Sequence, residues 1–579
     1  MDSIRHGHGE ALSRMVVLKS SSPISIVVPI AIAVAVIAGY VLYPLLAMAR
    51  ESLTVNGILS LQRYLELLSW HNAGFWEAVR NSIAVSIVTV ILSGVVGTLF
   101  AVTLTQCDFV GKKIISALAV LPIGLPPLVG VISFLFVFGE SGIIPRLLQQ
   151  MFMSEESIFG VDGFAAILMV HVYSFYVYTY LFLLPPLRNI DGSLIEAAAS
   201  VGAGAWTTFL RVILPEIRSA LTGAALLTFM ASMASFTAPF LFGGDKRFLT
   251  TLIYSTKLNG DIELAAAQSV LLGIASVMFF FFFRRTASTS TRAAKGSSRM
   301  GKIAIRSLSR RILIVGTVAL FVFELLPILT ILLIAFAKEG SWTWQIFPTA
   351  YTLENFQKLL SDAHVFEPIL NSIMMSLLTL AFCLLVGVTV SYVIVRGSLG
   401  RWRTPLELLV NIPFALPGTI IAIGLLIVFN SSHVLGGFAV LVGSFWILPI
   451  AYFARSYPLV VRSTSAALET LDGSLVEAGA ALGASFWLRL RKVVLPLIGP
   501  GIISGALLVL IASLGEFVSS ILLYSFNNRP IAVEILSQMR MYNFGGAAAY
   551  CVFLLLLILA CVGGASFATS RLEQKLGAK

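Results

Sequence analysis

From Asp191 to Pro215 the chain reads DGSLIEAAASVGAGAWTTFLRVILP, and from Asp472 to Pro496 it reads DGSLVEAGAALGASFWLRLRKVVLP. Asp472 lies 281 residues after Asp191. At that same offset Glu196-Ala197-Ala198 becomes Glu477-Ala478-Gly479, Gly202 becomes Gly483, and Leu214-Pro215 becomes Leu495-Pro496. Upstream, Asn81-Ser82 reappears as Asn371-Ser372 at an offset of 290, and Pro122 and Pro126 reappear as Pro413 and Pro417 at 291. Repetition at a fixed spacing marks a duplicated unit. The change of offset places roughly ten extra residues in the loop near 140–162 of the first copy, where an insertion costs little.

What surrounds these motifs decides the solvent. The chain has 579 residues, 58% of them hydrophobic and 12% charged, where a soluble domain carries about 25% charged residues. Uncharged runs extend from Ser20 to Ala49, Asn81 to Cys107, Ile114 to Gly139, Gly163 to Leu187 and Ser219 to Gly244. Each exceeds the ~20 apolar residues that span a bilayer as a helix. Disorder, collagen and a disulfide scaffold are excluded by the same composition, with four cysteines in all and no pair at metal-ligand spacing. The sequence therefore predicts an all-α polytopic membrane protein of about 12 helices, near 26–48, 82–105, 114–138, 164–185, 219–243, 264–283, 312–336, 372–395, 406–429, 434–454, 500–524 and 546–570.

Lys and Arg gather on the loops that share a side with both termini, and acids lean to the other side. The positive-inside rule then places both ends in the cytoplasm. Arg5, Arg14 and Lys19 precede the first apolar stretch, which is too long for a signal peptide and reads as a retained helix. Six helices per copy set both copies the same way up, as parallel repeats over 1–283 and 312–579. Between them Arg284 to Arg311 has nine basic residues and no acid. It reads as a flexible cytoplasmic linker with affinity for anionic lipid, not for nucleic acid.

The duplicated motif falls in the cytoplasmic loops 188–218 and 469–499, between the fourth and fifth helices of each copy. Ser193 and Glu196, and again Ser474 and Glu477, fit the capping box that satisfies the orphan amides of a helix start. Small residues follow, Gly202 or Gly483 supplies a stop or turn, and a second short segment ends where Pro215 or Pro496 breaks the run. The expectation is a helix-turn-helix on the inner face of the membrane, small on one side and open to close contact.

Glu-Ala-Ala, three residues, Gly, nine residues, an aliphatic, any residue and Leu-Pro fits Glu196 to Pro215, with Val212 as the aliphatic, at every spacing. Glu477 to Pro496, with Val493, fits apart from Gly479. This pattern resembles the permease subunit of binding-protein-dependent ABC importers of the type I fold, and two fused copies resemble the ferric-iron and 2-aminoethylphosphonate branch. The resemblance implies type I permease repeats whose loops dock on two copies of a cytoplasmic ABC ATPase through Glu196, Ala197, Ala198, Gly202, Leu214 and Pro215, and through Glu477, Ala478, Gly479, Gly483, Leu495 and Pro496. It also implies an extracytoplasmic solute-binding protein as partner, and a place in the bacterial inner membrane. The phrase Phe414-Ala415-Leu416-Pro417-Gly418-Thr419 leans towards 2-aminoethylphosphonate over ferric iron.

No phosphate-cradling G-x-x-x-x-G-K-[ST] occurs: Gly111-Lys112 is followed by Lys113, and Gly301-Lys302 by Ile303. ATP and Mg are therefore expected on the partner ATPase, with no cofactor, metal or catalytic residue in this chain. A gradient-driven facilitator also has two parallel six-helix halves, but it has no use for a Glu-Ala-Ala element twice. Inside the membrane, Glu516 stands out, since an ionisable group there faces protein or water. The stretch Ser513 to Phe517 aligns at 281 with Ser232 to Phe236, so the translocation path is expected to draw on Ser232, Ser235, Phe236, Ser513, Glu516 and Phe517. Pro126 and Pro417 interrupt the third and ninth helices, and broken backbone at that depth must be buried in protein or line a cavity. Glu324, one turn before Pro327, reads as a partner for freed backbone groups, and His171 as a hydrogen-bonded packing residue.

Overall fold

A computed structural model describes residues 23–154, 160–289, 307–397, 399–432, 435 and 439–577. Arg5, Arg14, Lys19 and residues 290–306 of the linker lie outside the described residues. Twelve helices carry the architecture. In the first copy they are α1 (Pro23–Ile37, continued through a π-helical turn Ala38–Leu42 into Tyr43–Glu51), α2 (Ala73–Gln106), α3 (Pro127–Phe138), α4 (Gly163–Arg188), α5 (Leu214–Met233) and α6 (Ile262–Thr289). In the second they are α7 (Ser307–Ala335), α8 (Ala363–Arg396), α9 (Gly418–Phe429), α10 (Ile447–Thr470), α11 (Leu495–Leu514) and α12 (Phe544–Gly577). Ten helices among the described residues are long and apolar enough to cross a membrane, and α9 with the preceding Arg403–Ala415, bent by 102°, makes an eleventh. α10, which carries Arg455, Arg462 and Glu469, is not among them.

The repeat offsets survive as geometry. α2 and α8 are each 34 residues long and start 290 residues apart, and both begin on a side-chain cap: Asn72 accepts from the Phe75 amide and Asp362 from the His364 amide. Asn81 donates to the Arg247 carbonyl at 3.1 Å, and Asn371 does the same to Arg529 at 3.1 Å. Ser82 accepts from the Leu249 amide and Ser372 from the Ile531 amide. The Asn-Ser pair is thus a clasp, identical in both copies, that ties the start of one helix to the chain beyond the fifth.

Three of the expected spans are corrected. The tenth, expected at 434–454, runs instead from Ile447 to Thr470, after a turn in which Gly443 has φ +84; residues 434 and 436–438 of the expected span lie outside the described residues. The fifth and eleventh, expected at 219–243 and 500–524, break near Ala234–Phe236 and Gly515–Phe517 and resume as Thr237–Phe242 and Val518–Leu523. The third is broken as its prolines require, into Lys112–Leu118, Leu121–Gly124 and α3, which starts directly after Pro126; Pro417 stands in the same place before α9.

Contacts divide the chain into two compact units that cut across the repeat boundaries 1–283 and 312–579. One unit holds residues 53–359 and 535–552; the other holds 1–52, 360–534 and 553–579. In the first, α2, α4 and α5 pack as a triangle, α6 lies on α5, and α7 packs on α3 and α2. In the second, α8, α10 and α11 form the matching triangle, with α1 on α9 and α8. Each unit therefore contains the opening helix of the other copy. α1 is fastened within its unit by the Tyr40 hydroxyl, which donates to the Leu435 carbonyl at 2.6 Å. Gly424 allows close approach there, since a Cβ would stand 2.9 Å from the Pro44 carbonyl. The two strands present among the described residues, Thr54–Val55 and Ile58–Leu59, pair antiparallel through a turn with positive φ at Asn56 and Gly57. Nearby, Arg63 pairs with Asp261 and Glu263 at the start of α6.

Glu324 does not serve the backbone freed by Pro327. It is 3% exposed, and its Oε2 lies 2.7 Å from the Tyr176 hydroxyl on α4, which also reaches the Ala119 carbonyl at 2.8 Å. These groups border a cavity of about 280 Å³ whose other walls are mainly apolar side chains of α2, α4 and α7. Interhelical hydrogen bonds of this kind contribute ~0.6 kcal/mol on average in membranes. Tyr176→Phe is accordingly expected to lower the thermal midpoint of the purified chain by only a few degrees, read by tryptophan fluorescence. A loss of all folded protein would show that the pair does more than join two helices.

Candidate coupling surface and transmembrane polar cluster

Each duplicated loop folds as one short helix, a tight turn and a second helical stretch. The first helices are Gly192–Ser200 and Gly473–Ala481. Their N-caps are Asp191 and Asp472, whose carboxylates accept from the Ser193 and Ser474 amides at 2.9 Å. This corrects the expected caps: Ser193 and Ser474 sit inside the first turn, because the aspartates two residues earlier start the helix sooner. Hydrogen bonding from Ser474 holds the Asp472 carboxyl below its ordinary value of 3.8. A depressed carboxyl stabilises the folded state above its unfolded value and loses that effect only as pH falls through its folded value, so this cap is fully present at neutral pH.

The helices end alike. Gly202 and Gly483 take φ of +75 and +78, and the amides that follow close a Schellman turn. Gly202 donates to Ala199 and Ala203 to Ala198; Gly483 donates to Ala480 and Ala484 to Gly479. Each turn leads through Ala205–Thr208 or Phe486–Arg489 into a π-helical turn, Phe209–Ile213 or Leu490–Val494, and then directly into α5 or α11. Pro215 and Pro496 therefore do not end the segment, contrary to expectation. Proline removes one amide from the ladder, and the wider π turn accommodates it: Leu214 donates five residues back to Phe209, and Leu495 to Leu490.

Glu196 and Glu477 are exposed, as are Ala197 and Ala478. A larger apolar face accompanies them. Leu194, Val201 and Trp206 are 45%, 81% and 72% exposed, and their counterparts Leu475, Leu482 and Trp487 are 47%, 88% and 53% exposed. Ile195 and Val476 are buried beneath. The small residues are legible in sequence; the exposed leucine and tryptophan do not stand out there, although the 281-residue offset carries them too. Gly479 also finds its reason. A Cβ there would stand 3.3 Å from Cγ of Arg489, which is 2% exposed and occupies the position held by Thr208 in the first copy. One copy uses Ala with Thr, the other Gly with Arg, to fill the same space.

Within the helical part of the first unit, Ser232 and Ser235 join a neutral cluster. Ser232 contacts Ser86 at 3.0 Å and His171 Nδ1 at 3.1 Å, and Ser235 lies 2.8 Å from His171 Nε2. In the second unit Ser513 donates to the Val509 carbonyl, and Glu516 meets Arg455 on α10. Phe236 and Phe517 are each 1% exposed and begin the short helices after the breaks. Pro126 and Pro417 are buried. The clusters in the two copies occupy equivalent positions, with His171 and Ser235 replaced by Tyr452 and Glu516. Sequence reading misses Arg455, because hydropathy alone ends the tenth helix at 454.

Comparison with known proteins agrees with the duplication. Residues 93–288 and 383–566 match the family described as binding-protein-dependent transport system inner membrane component, once in each copy. The chain belongs to this family. As a permease it is 29% identical over 501 residues to the probable ABC transporter permease protein y4fN of Sinorhizobium fredii, covering 86% of this chain and 87% of that one. It is 26% identical to the putative ferric transport system permease protein FbpB 1 of Haemophilus influenzae, over 80% of this chain and 72% of that one. The putative 2-aminoethylphosphonate transport system permease protein PhnV of Salmonella paratyphi A is 27% identical over 45% of this permease and 95% of its own length. Among solved structures, a bacterial ABC transporter involved in import of the acidic polysaccharide alginate covers 46% of this chain and 97% of that one, at 19% identity and a TM-score of 0.38.

Proposed function

We propose that this permease forms the translocation path of an ATP-driven importer in a bacterial inner membrane, with both termini cytoplasmic. The observation that carries the reading is the pair of coupling segments. Two copies with the same Asp cap, the same left-handed glycine and the same exposed leucine-tryptophan face suit two copies of one ATPase subunit. An exposed aromatic with aliphatic neighbours is the composition of an interface anchor. ATP and Mg bind on that separate subunit, and this chain performs no catalysis. A solute-binding protein delivers the cargo from the other side, and 2-aminoethylphosphonate, named for one group of relatives, is the cargo in preference to ferric iron.

The test is co-purification with a candidate ATPase in nanodiscs, followed by ATP hydrolysis with binding proteins charged with 2-aminoethylphosphonate or ferric iron. Stimulation of several-fold by the phosphonate-charged protein is expected. Stimulation by the iron-charged protein alone would reverse the cargo assignment. Uptake that follows a proton or sodium gradient with no ATPase bound would replace the importer by a facilitator.

A further inference from the structure

In the second unit Arg455 of α10 meets Glu516, which lies in the break between α11 and Val518–Leu523. Arg455 Nη1 lies 3.2 Å from Oε1 and 3.1 Å from Oε2 of Glu516. The carboxylate is buried, and its Oε1 also accepts from the Ser519 amide at 2.7 Å. Gly418 makes room for the guanidinium, since any Cβ at that position would collide with Nη1. From Ala451 to Pro458 every residue of α10 is buried except Arg455, whose side chain is 37% exposed while that of Glu516 is 8% exposed. The charge that remains accessible is thus the positive one. An arginine on a span does not stand in hydrocarbon without a large penalty, so its open side faces water.

The fold does not demand this pair. The equivalent residues in the first copy are Ser174 and Ser235, and there the same junction is closed by a neutral hydrogen bond between Ser235 and His171. We propose that Arg455, held in place by Glu516, is the contact for an anionic group of the solute in transit, of the phosphonate or carboxylate class. A guanidinium offers five donors in a planar fork suited to such groups, and Glu516 occupies only Nη1 among the described contacts. The accessible member of the pair is the guanidinium, whose N–H groups suit anions and offer no ligand to a bare metal ion. The inference rests on the importer reading and assigns the solute's charge. Glu516 is a positioning residue that acts through Arg455.

Two measurements on the full chain test it. In proteoliposomes with the ATPase and a phosphonate-charged binding protein, Arg455→Gln is expected to lower the solute carried per ATP hydrolysed at least tenfold, with Arg455→Lys intermediate. An unchanged ratio would overturn the proposal. Independently of any transport assay, phenylglyoxal should modify Arg455 in the reconstituted chain, followed on its peptide by mass spectrometry. Methylphosphonate, used as the probe, should slow that modification at least threefold, and methylammonium should not. Glu516→Gln should change the modification rate, with Glu516→Asp restoring it. Absence of modification, or modification indifferent to methylphosphonate, would sink the proposal even if the importer itself works.

Discussion

Valine at Gly483 is expected to reduce ATP-driven uptake at least tenfold while leaving the chain inserted and folded. The space around this glycine is open, with nothing within 4 Å of the point where a Cβ would stand, so size is not the obstacle. The backbone is. At φ +78 a β-branched residue is a steric outlier, and the left-handed region costs an ordinary residue roughly 1–2 kcal/mol. Relief comes by opening the Schellman turn, which fixes the angle between Gly473–Ala481 and the stretch carrying Trp487. The exposed face is then presented wrongly to the ATPase, although the transmembrane triangle of α8, α10 and α11 is untouched. Gly202→Val should behave alike in the first copy, where φ is +75. Asparagine tolerates the left-handed region, so Gly483→Asn should retain more than half of wild-type uptake. Uptake, stimulated ATPase activity and melting temperature measured together decide it. Normal uptake in the valine variants would remove the turn from the coupling role.

That turn is readable from the sequence because it is written twice. A lone Gly after Glu-Ala-Ala says little, whereas two at the same spacing restrict the backbone. The caps are harder to read because Asp191 and Asp472 compete with Ser193 and Ser474 for the same amides, and a carboxylate two residues upstream begins the helix earlier. The tenth helix escapes sequence reading for a different reason. Residues 434–446 carry no charge and attract any hydropathy window, yet Gly443 turns the chain at φ +84, and the true helix carries two arginines. The repeat contains the remedy: moving the fourth helix, 164–185, forward by 281 places its partner at 445–466 and Arg455 inside it. Local hydrophobicity yields to tertiary burial, and the residue hidden by it is Arg455, the proposed contact for the solute. The exchange of α1 and α7 between compact units is not read from the hydropathy pattern, which gives an apolar helix no address on one copy or the other.

The second large effect concerns stability. Leucine at Gly97 is expected to leave almost no monodisperse protein after extraction. A Cβ there would stand 2.5 Å from the Tyr176 carbonyl and 2.6 Å from Cβ of Thr179, so α2 and α4 touch backbone to backbone. Small residues allow helices this approach in membranes, where dispersion and not hydrophobic transfer holds them together. Overpacking a core costs typically ~1–3 kcal/mol when side chains can shift. A carbonyl in a helix cannot shift alone, so the helices must part along their length, and total stability is only ~5–15 kcal/mol. Gly387 occupies the same place in α8, but its nearest neighbours are the Cγ1 and Cβ of Val460, at 2.7 and 2.8 Å. A side chain yields more readily than backbone, so Gly387→Leu should be the milder of the two. Gly94, one turn from Gly97 on the same helix, has nothing within 4 Å; leucine there should be tolerated and gain up to ~1 kcal/mol of helix propensity. Size-exclusion profiles and thermal midpoints of the three variants test the ordering. If Gly97→Leu elutes and melts like Gly94→Leu, the close contact between α2 and α4 does not hold the first unit together.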